Sequence, residues 1–73
     1  MKPGDLVRLR GDWGQVLFKG SPYRSSRQEI VGTFRAGEHA LLLEVDWALK
    51  VCKLFTDKCV TGWLHMTHLE VVS

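Results

Sequence analysis

Cys52, Cys59, His65 and His68 are the side chains of this sequence with the widest chemical reach, and they fall in one short stretch. His65 and His68 are three apart, and on a 3₁₀ turn side chains at that spacing nearly eclipse. With Cys59 or His39 they compose a donor set of the kind zinc prefers. A structural zinc site takes four ligands, usually in two close pairs. Only one such pair is present, so surface histidines are the preferred reading and no metal or other cofactor is expected. The cysteines flank a predicted hairpin in which Phe55 faces Val60. That pairing sets the two sulfurs beyond the Cα separation of about 4.4–6.8 Å that a disulfide requires. Cys52 then reads as a small core residue, and Cys59, beside Lys58, as an exposed thiol at a turn where glycine is commoner.

The second group with chemical potential is aromatic and basic. Trp13 and Trp47 fall in predicted connectors, where an indole either covers an end of the fold or faces a partner; both readings stay open. With Tyr23, Arg24 and Arg27 they compose a surface suited to stacking bases and pairing phosphates. Trp63 reads as core or half-buried. No nucleophile elbow, phosphate loop or paired carboxylates are present, so catalysis by the monomer is not expected.

The elements that must position these residues are strands. Lys2-Pro3-Gly4-Asp5 is a turn, and it launches a strand from Leu6 with Val7 and Leu9 inward. Gly11 to Gly14 breaks the chain before a short strand over Gln15-Val16-Leu17-Phe18. Lys19 to Gln28 has no periodicity and reads as an exposed loop, either a solvated connector or a recognition loop. Glu29 to Phe34 is a strand in which Gly32 signals a bulge or bend. After the turn Arg35-Ala36-Gly37-Glu38, the period-two spacing of Leu41, Leu43 and Val45, continued by Cys52 and Leu54, predicts one shared buried face. Thr56-Asp57-Lys58-Cys59 turns the hairpin, His65-Met66-Thr67 allows one turn of 3₁₀ helix, and His68 to Val72 closes the sheet. No apolar stripe is long enough for an α-helix. Short strands in so small a chain escape exposed edges by curling on themselves.

Composition bounds the function classes. The 73 residues are one domain, which buries only about 60% of its unfolded surface, so a roomy active site is not expected. Hydrophobic residues at 45% and charged residues at 25% suit a folded globular chain. The net charge of +2 and the pI near 8.7 are below the range above about 9 that marks a nucleic-acid-binding domain. The charge is unevenly spread: residues 19–35 hold Lys19, Arg24, Arg27 and Arg35 against Glu29 alone, a local charge of +3. No run approaches the roughly 20 apolar residues of a membrane helix and no signal peptide is visible. A cytoplasmic protein with reduced cysteines and no membrane partner is expected.

The run Gly62-Trp63-Leu64-His65-Met66-Thr67-His68-Leu69-Glu70-Val71-Val72 resembles the last two strands of an SH3-type domain, in which a glycine and an aromatic open a strand and a one-turn 3₁₀ helix precedes a valine-rich strand. Arg35 to Val45 is similar to the diverging turn and second strand of that family, and Lys50 to Leu64 to its distal hairpin. The resemblance covers about half of the chain and is nearer to bacterial SH3-like domains than to eukaryotic ones. It implies an all-β fold, a small SH3-like barrel of five to six antiparallel strands with a one-turn 3₁₀ helix before the last strand. Eukaryotic members clamp proline-rich peptides with a proline and a tyrosine in the 3₁₀ region. His65 and His68 occupy the matching positions here, so a Pro-x-x-Pro ligand is not expected. Plasmid-borne dihydrofolate reductases of similar size carry a Val-Gln-Ile-Tyr run where this chain has Leu64-His65-Met66-Thr67, and that activity is not expected either. The resulting expectation is a small non-catalytic accessory protein that binds a protein partner through Trp13, Tyr23, Arg24, Arg27, Trp47, His65 and His68. The alternative is a nucleic-acid-binding barrel using the basic segment 19–35, and a homo-oligomer is compatible with both.

Overall fold

The computed structural model describes residues 1–20 and 29–72. They form seven strands and one turn of 3₁₀ helix: β1 (Leu6–Leu9), β2 (Gln15–Phe18), β3 (Ile30–Phe34), β4 (His39–Asp46), β5 (Val51–Thr56), β6 (Thr61–His65), the 3₁₀ turn Met66–His68 and β7 (Leu69–Val71). All pairings are antiparallel, in a single sheet of order β3-β2-β6-β5-β4-β1-β7. The count exceeds the five to six strands expected, because short β2 keeps its own ladder with β3. Among the described residues no ladder joins β3 to β7, so the sheet is open in its hydrogen bonding. No helix is long and apolar enough to cross a membrane among the described residues.

The N-terminal turn forms as its residues dictate. The Asp5 amide donates to the Lys2 carbonyl at 3.1 Å, and the Lys2 amide donates to Asp5 Oδ2 at 2.9 Å. Val7 and Leu9 then point inward, fully or nearly fully buried. The core gathers one or two side chains from every strand, among them Leu17, Phe34, Leu42, Leu54 and Leu69.

Two registers depart from the sequence-based expectation. On β4 the buried residues are Ala40 and Leu42, while Leu41 is 41% exposed and Leu43 half-buried. The reason is a bulge: Leu42 pairs with Leu54 and Glu44 with Lys53, which leaves Leu43 as the extra residue. The bulge reverses the parity of the strand, so Val45 beyond it does pack on the core while Leu41 before it does not. On the β5–β6 hairpin Phe55 faces Thr61, not Val60. Here the Cys59 amide donates to the Thr56 carbonyl at 3.0 Å and the Thr56 amide to the Val60 carbonyl at 2.8 Å. The loop is therefore three residues long, closed by Cys59 in the left-handed region at φ 63°, a known hairpin solution. The buried Thr56 hydroxyl accepts the amides of Lys58 and Val60 and completes the turn.

The β2–β3 hairpin lies across β6, and the contact requires a residue without a side chain. A Cβ at Gly62 would sit 2.6 Å from Leu17 Cβ, 3.0 Å from Val31 Cγ2 and 3.3 Å from the Phe18 carbonyl oxygen. Gly32 makes a similar approach from the other side, where a Cβ would meet Val60 Cγ1 at 2.9 Å. As expected from the glycine, β3 bulges there: Gly32 faces Leu17 and Ile30 faces Phe18, with Val31 the extra residue.

Gly62→Ala should therefore lower stability by about 2–3 kcal/mol, because strand backbone and a Cβ must move. Gly32→Ala should cost about 1 kcal/mol, since a half-buried valine rotamer absorbs the clash. Urea midpoints at constant m-value measure both, and equal losses would contradict the assignment. Cys59→Gly should act in the opposite direction. Relief of the left-handed strain, about 1–2 kcal/mol, exceeds the extra entropy of an unfolded glycine, about 0.4–1 kcal/mol. A rise in Tm of about 2–8 °C is expected by calorimetry.

Candidate binding groove

The turn after β4, Trp47–Lys50, and the 3₁₀ turn lie side by side at one end of the sheet. Asp46 Oδ1 accepts the Leu49 amide at 3.2 Å, which tightens the first turn. Lys50 adopts φ 55°, a left-handed conformation that is costly for lysine. Its carbonyl accepts the Met66 amide at 2.9 Å, so the strained residue is also the tie between the two turns. Val51 and His65 pair directly after it. His65 caps the 3₁₀ turn from an extended conformation, its Nδ1 facing the Thr67 amide at 3.5 Å and the Thr67 hydroxyl at 3.0 Å. From the other side the Arg10 amide donates to the His68 carbonyl at 2.7 Å, and the Leu69 amide donates to that of Met66.

β2 forms the opposite bank. It pairs with β6 at a single position, Phe18 with Trp63, and from there it runs toward the 3₁₀ turn without further ladder bonds. The space between them is an open depression of about 370 Å³. Val16, Phe18 and Leu64 supply its apolar surface, and Gln15, His65, Thr67 and His68 its hydrogen-bonding groups. The rings of His65 and His68 lie edge to face, with centroids 6.3 Å apart at 72°. Trp13, two residues before Gln15, is 83% exposed, and Trp47 is 62% exposed. Neither indole is folded over an end of the core. Trp63 is half-buried, beside Phe18 and Lys53.

The structure thus brings His65 and His68 into one depression, while neither Trp13 nor Trp47 lines it: Trp13 precedes Gln15 by two residues, and the Trp47 turn is joined to the 3₁₀ turn through the Lys50 carbonyl. Tyr23, Arg24 and Arg27, and the part of the 19–28 loop that holds them, lie outside the described residues. Sequence reasoning missed Gln15, Val16, Phe18 and Leu64, because ordinary strand residues become a surface feature only when β2 parts from β6. Three cations without an ion pair among the described residues, Arg10, Arg35 and Lys50, come from segments next to the depression. Arg10 and Lys50 are tied to the 3₁₀ turn through their backbone, and Arg35 Cγ would lie 3.6 Å from a Cβ at Gly14.

The remaining reactive groups are dispersed. His39 begins β4, where its carbonyl accepts the Asp57 amide, and lies with the β5–β6 turn at the end of the strand remote from Asp46. His65 belongs to the opposite end of β4, where Asp46 pairs with Val51 and Val51 with His65. Among the described residues no three His, Cys, Asp or Glu side chains cluster as a metal site. Glu38 is held below its ordinary pKa, first by the Lys58 ammonium at 2.9 Å and then by the Arg35 amide. Both cysteines are free. Cys52 is buried, directs its thiol at the Leu64 carbonyl at 3.5 Å, and has its pKa pushed up to about 12 by burial. It therefore stays a thiol at neutral pH.

Thiol labelling should separate the two cysteines. The native protein is expected to react with a disulfide reagent once per chain, at Cys59, and twice after denaturation. Native Cys59→Ser should be inert on the same timescale. Fast labelling of that variant would mean that the β5–β6 core opens readily. In comparisons with family models, with curated proteins and with solved structures, no match to this chain was found.

Proposed function

We propose that the chain is an SH3-like barrel acting as a non-catalytic binding module for a protein partner in the cytoplasm, engaged at the depression between β2 and the 3₁₀ turn. The barrel reading is supported by the path of the chain. β1 lies between β7 and β4, β4 to β6 follow as consecutive hairpins, and a one-turn helix precedes the closing strand. The binding reading is supported above all by a depression that offers both apolar and hydrogen-bonding groups. Two largely exposed tryptophans lie on adjoining segments, Trp13 two residues before Gln15 and Trp47 in the turn whose Lys50 carbonyl accepts the Met66 amide. Indoles anchor protein interfaces because each contributes large rigid area with little loss of rotamer entropy. The non-catalytic reading is supported by the chemistry at hand. One thiol is protonated and buried, the other sits on a remote turn, and the groove histidines face each other and Thr67.

The alternative, single-stranded nucleic acid, is favoured by the same indoles together with Arg10, Arg35 and Lys50. Salt dependence distinguishes the two. Peptides selected from a random display library should bind with an affinity that changes little with salt. Trp47→Ala should weaken them about 30-fold, the equivalent of about 2 kcal/mol. Undiminished binding by Trp47→Ala and His68→Ala together would overturn the assignment of the groove. Tight binding of labelled single-stranded DNA or RNA, with an affinity falling steeply as salt rises, would replace the protein reading by the nucleic-acid one.

A further inference from the structure

On the side of the depression, β2 carries main-chain hydrogen-bonding groups that the sheet does not use. The Lys19 amide donates to the Glu29 carbonyl at 2.8 Å, and Phe18 faces Ile30 at the next position of that ladder. Antiparallel pairs alternate between bonded and non-bonded. Phe18 therefore turns its N–H and C=O away from β3 and toward β6, where it pairs with Trp63. Leu17 turns back toward β3, opposite Gly32, and Val16 turns toward β6 again. The extra residue of the bulge, Val31, belongs to β3, so the alternation along β2 is undisturbed. Continued in register, the β2–β6 ladder would set Val16 across from His65, and that pair does not form. The main-chain groups of Val16 thus open onto the depression that its side chain helps to line.

The opening has the chemistry of a missing strand. We infer that the partner enters as an extended segment that adds to β2, its main chain bonded to the N–H and C=O of Val16. This rests on the groove reading above and assigns the partner's conformation there. An α-helix is about 10 Å across and has already used its amides and carbonyls on itself. A proline-rich segment brings no N–H at its prolines to answer the Val16 carbonyl. One residue of an extended chain supplies both bonds, and strands need only about 4.8 Å between them. The depression, at about 370 Å³, is at the small end of ligand sites, about 300–1,000 Å³, which suits a few residues of one strand. In such an addition the main chain gives affinity and alternate side chains give specificity. Here those side chains meet the apolar surface of Phe18 and Leu64 and the polar groups of Thr67 and His68.

The test takes the tightest peptide selected from a random display library against the full chain, with its site mapped by amide shifts. Shifts at Val16, Leu64 and His68 are expected. Methylation of the peptide's backbone amides one at a time should give an alternating profile. Affinity should fall about tenfold or more where an amide meets β2 and change little at the amides on either side. At saturation the Val16 amide should exchange with solvent about tenfold more slowly or less. Val16→Pro removes the same N–H while leaving the bonds of β2 to β3, and it should weaken the peptide to a similar degree; the exchange rate decides if that variant fails to fold. A flat methylation profile or unprotected Val16, with shifts still in the depression, would overturn the added strand and leave the groove reading standing. Shifts only elsewhere, or a library that yields no binder, would overturn both.

Discussion

The structure depends on a contact made by the absence of a side chain. At Gly62 the β2–β3 hairpin comes so close to β6 that a single methyl group would overlap Leu17 and press on Val31. This approach seats Leu17 in the core and sets Phe18 opposite Trp63. It also fixes where the two strands part. A hairpin that touches β6 at Gly62 and pairs once at Trp63 has no ladder left by His65, and the depression opens in that interval. Packing and site therefore share one cause, a close approach that only glycine permits.

What the sequence made legible were features with local causes. The alternation of Val7 and Leu9, the turn at Pro3-Gly4 and the single 3₁₀ turn before the last strand each follow from a few adjacent residues. The face of β4 was not legible, because four consecutive apolar residues carry no alternation and the bulge at Leu43 is set by pairing with β5. The register of the β5–β6 hairpin was misjudged for a related reason. It depends on a left-handed residue, and the position holds cysteine where the usual signal is glycine. The site divides in the same way. Trp13 and Trp47 stood out as indoles in connectors, and His65 and His68 by their spacing of three, whereas Gln15, Val16, Phe18 and Leu64 have no local signature.

Lys50 shows how strain is retained in so small a fold. A non-glycine residue in the left-handed region costs about 1–2 kcal/mol, and only a surrounding structure that over-determines the backbone keeps it there. Two hydrogen bonds provide that constraint. Asp46 holds the turn from one end, and the Met66 amide takes the Lys50 carbonyl from the other. The strained residue thereby fixes the backbone of the Trp47 turn against the 3₁₀ turn.

Leu64 limits how far such a groove can change. It is almost fully buried in the core, it lines the depression, and its carbonyl accepts the Cys52 thiol. A chain of this size has one layer of core, so the floor of its groove is the outer side of that layer. Substitutions that reshape the floor act on stability as well, through lost packing or cavity formation. Trp13 and Trp47 are under no such constraint: they expose most of their surface, and replacing them removes little that the fold uses. The exposed indoles are therefore free to vary, while the floor of the depression is held constant by the requirements of folding.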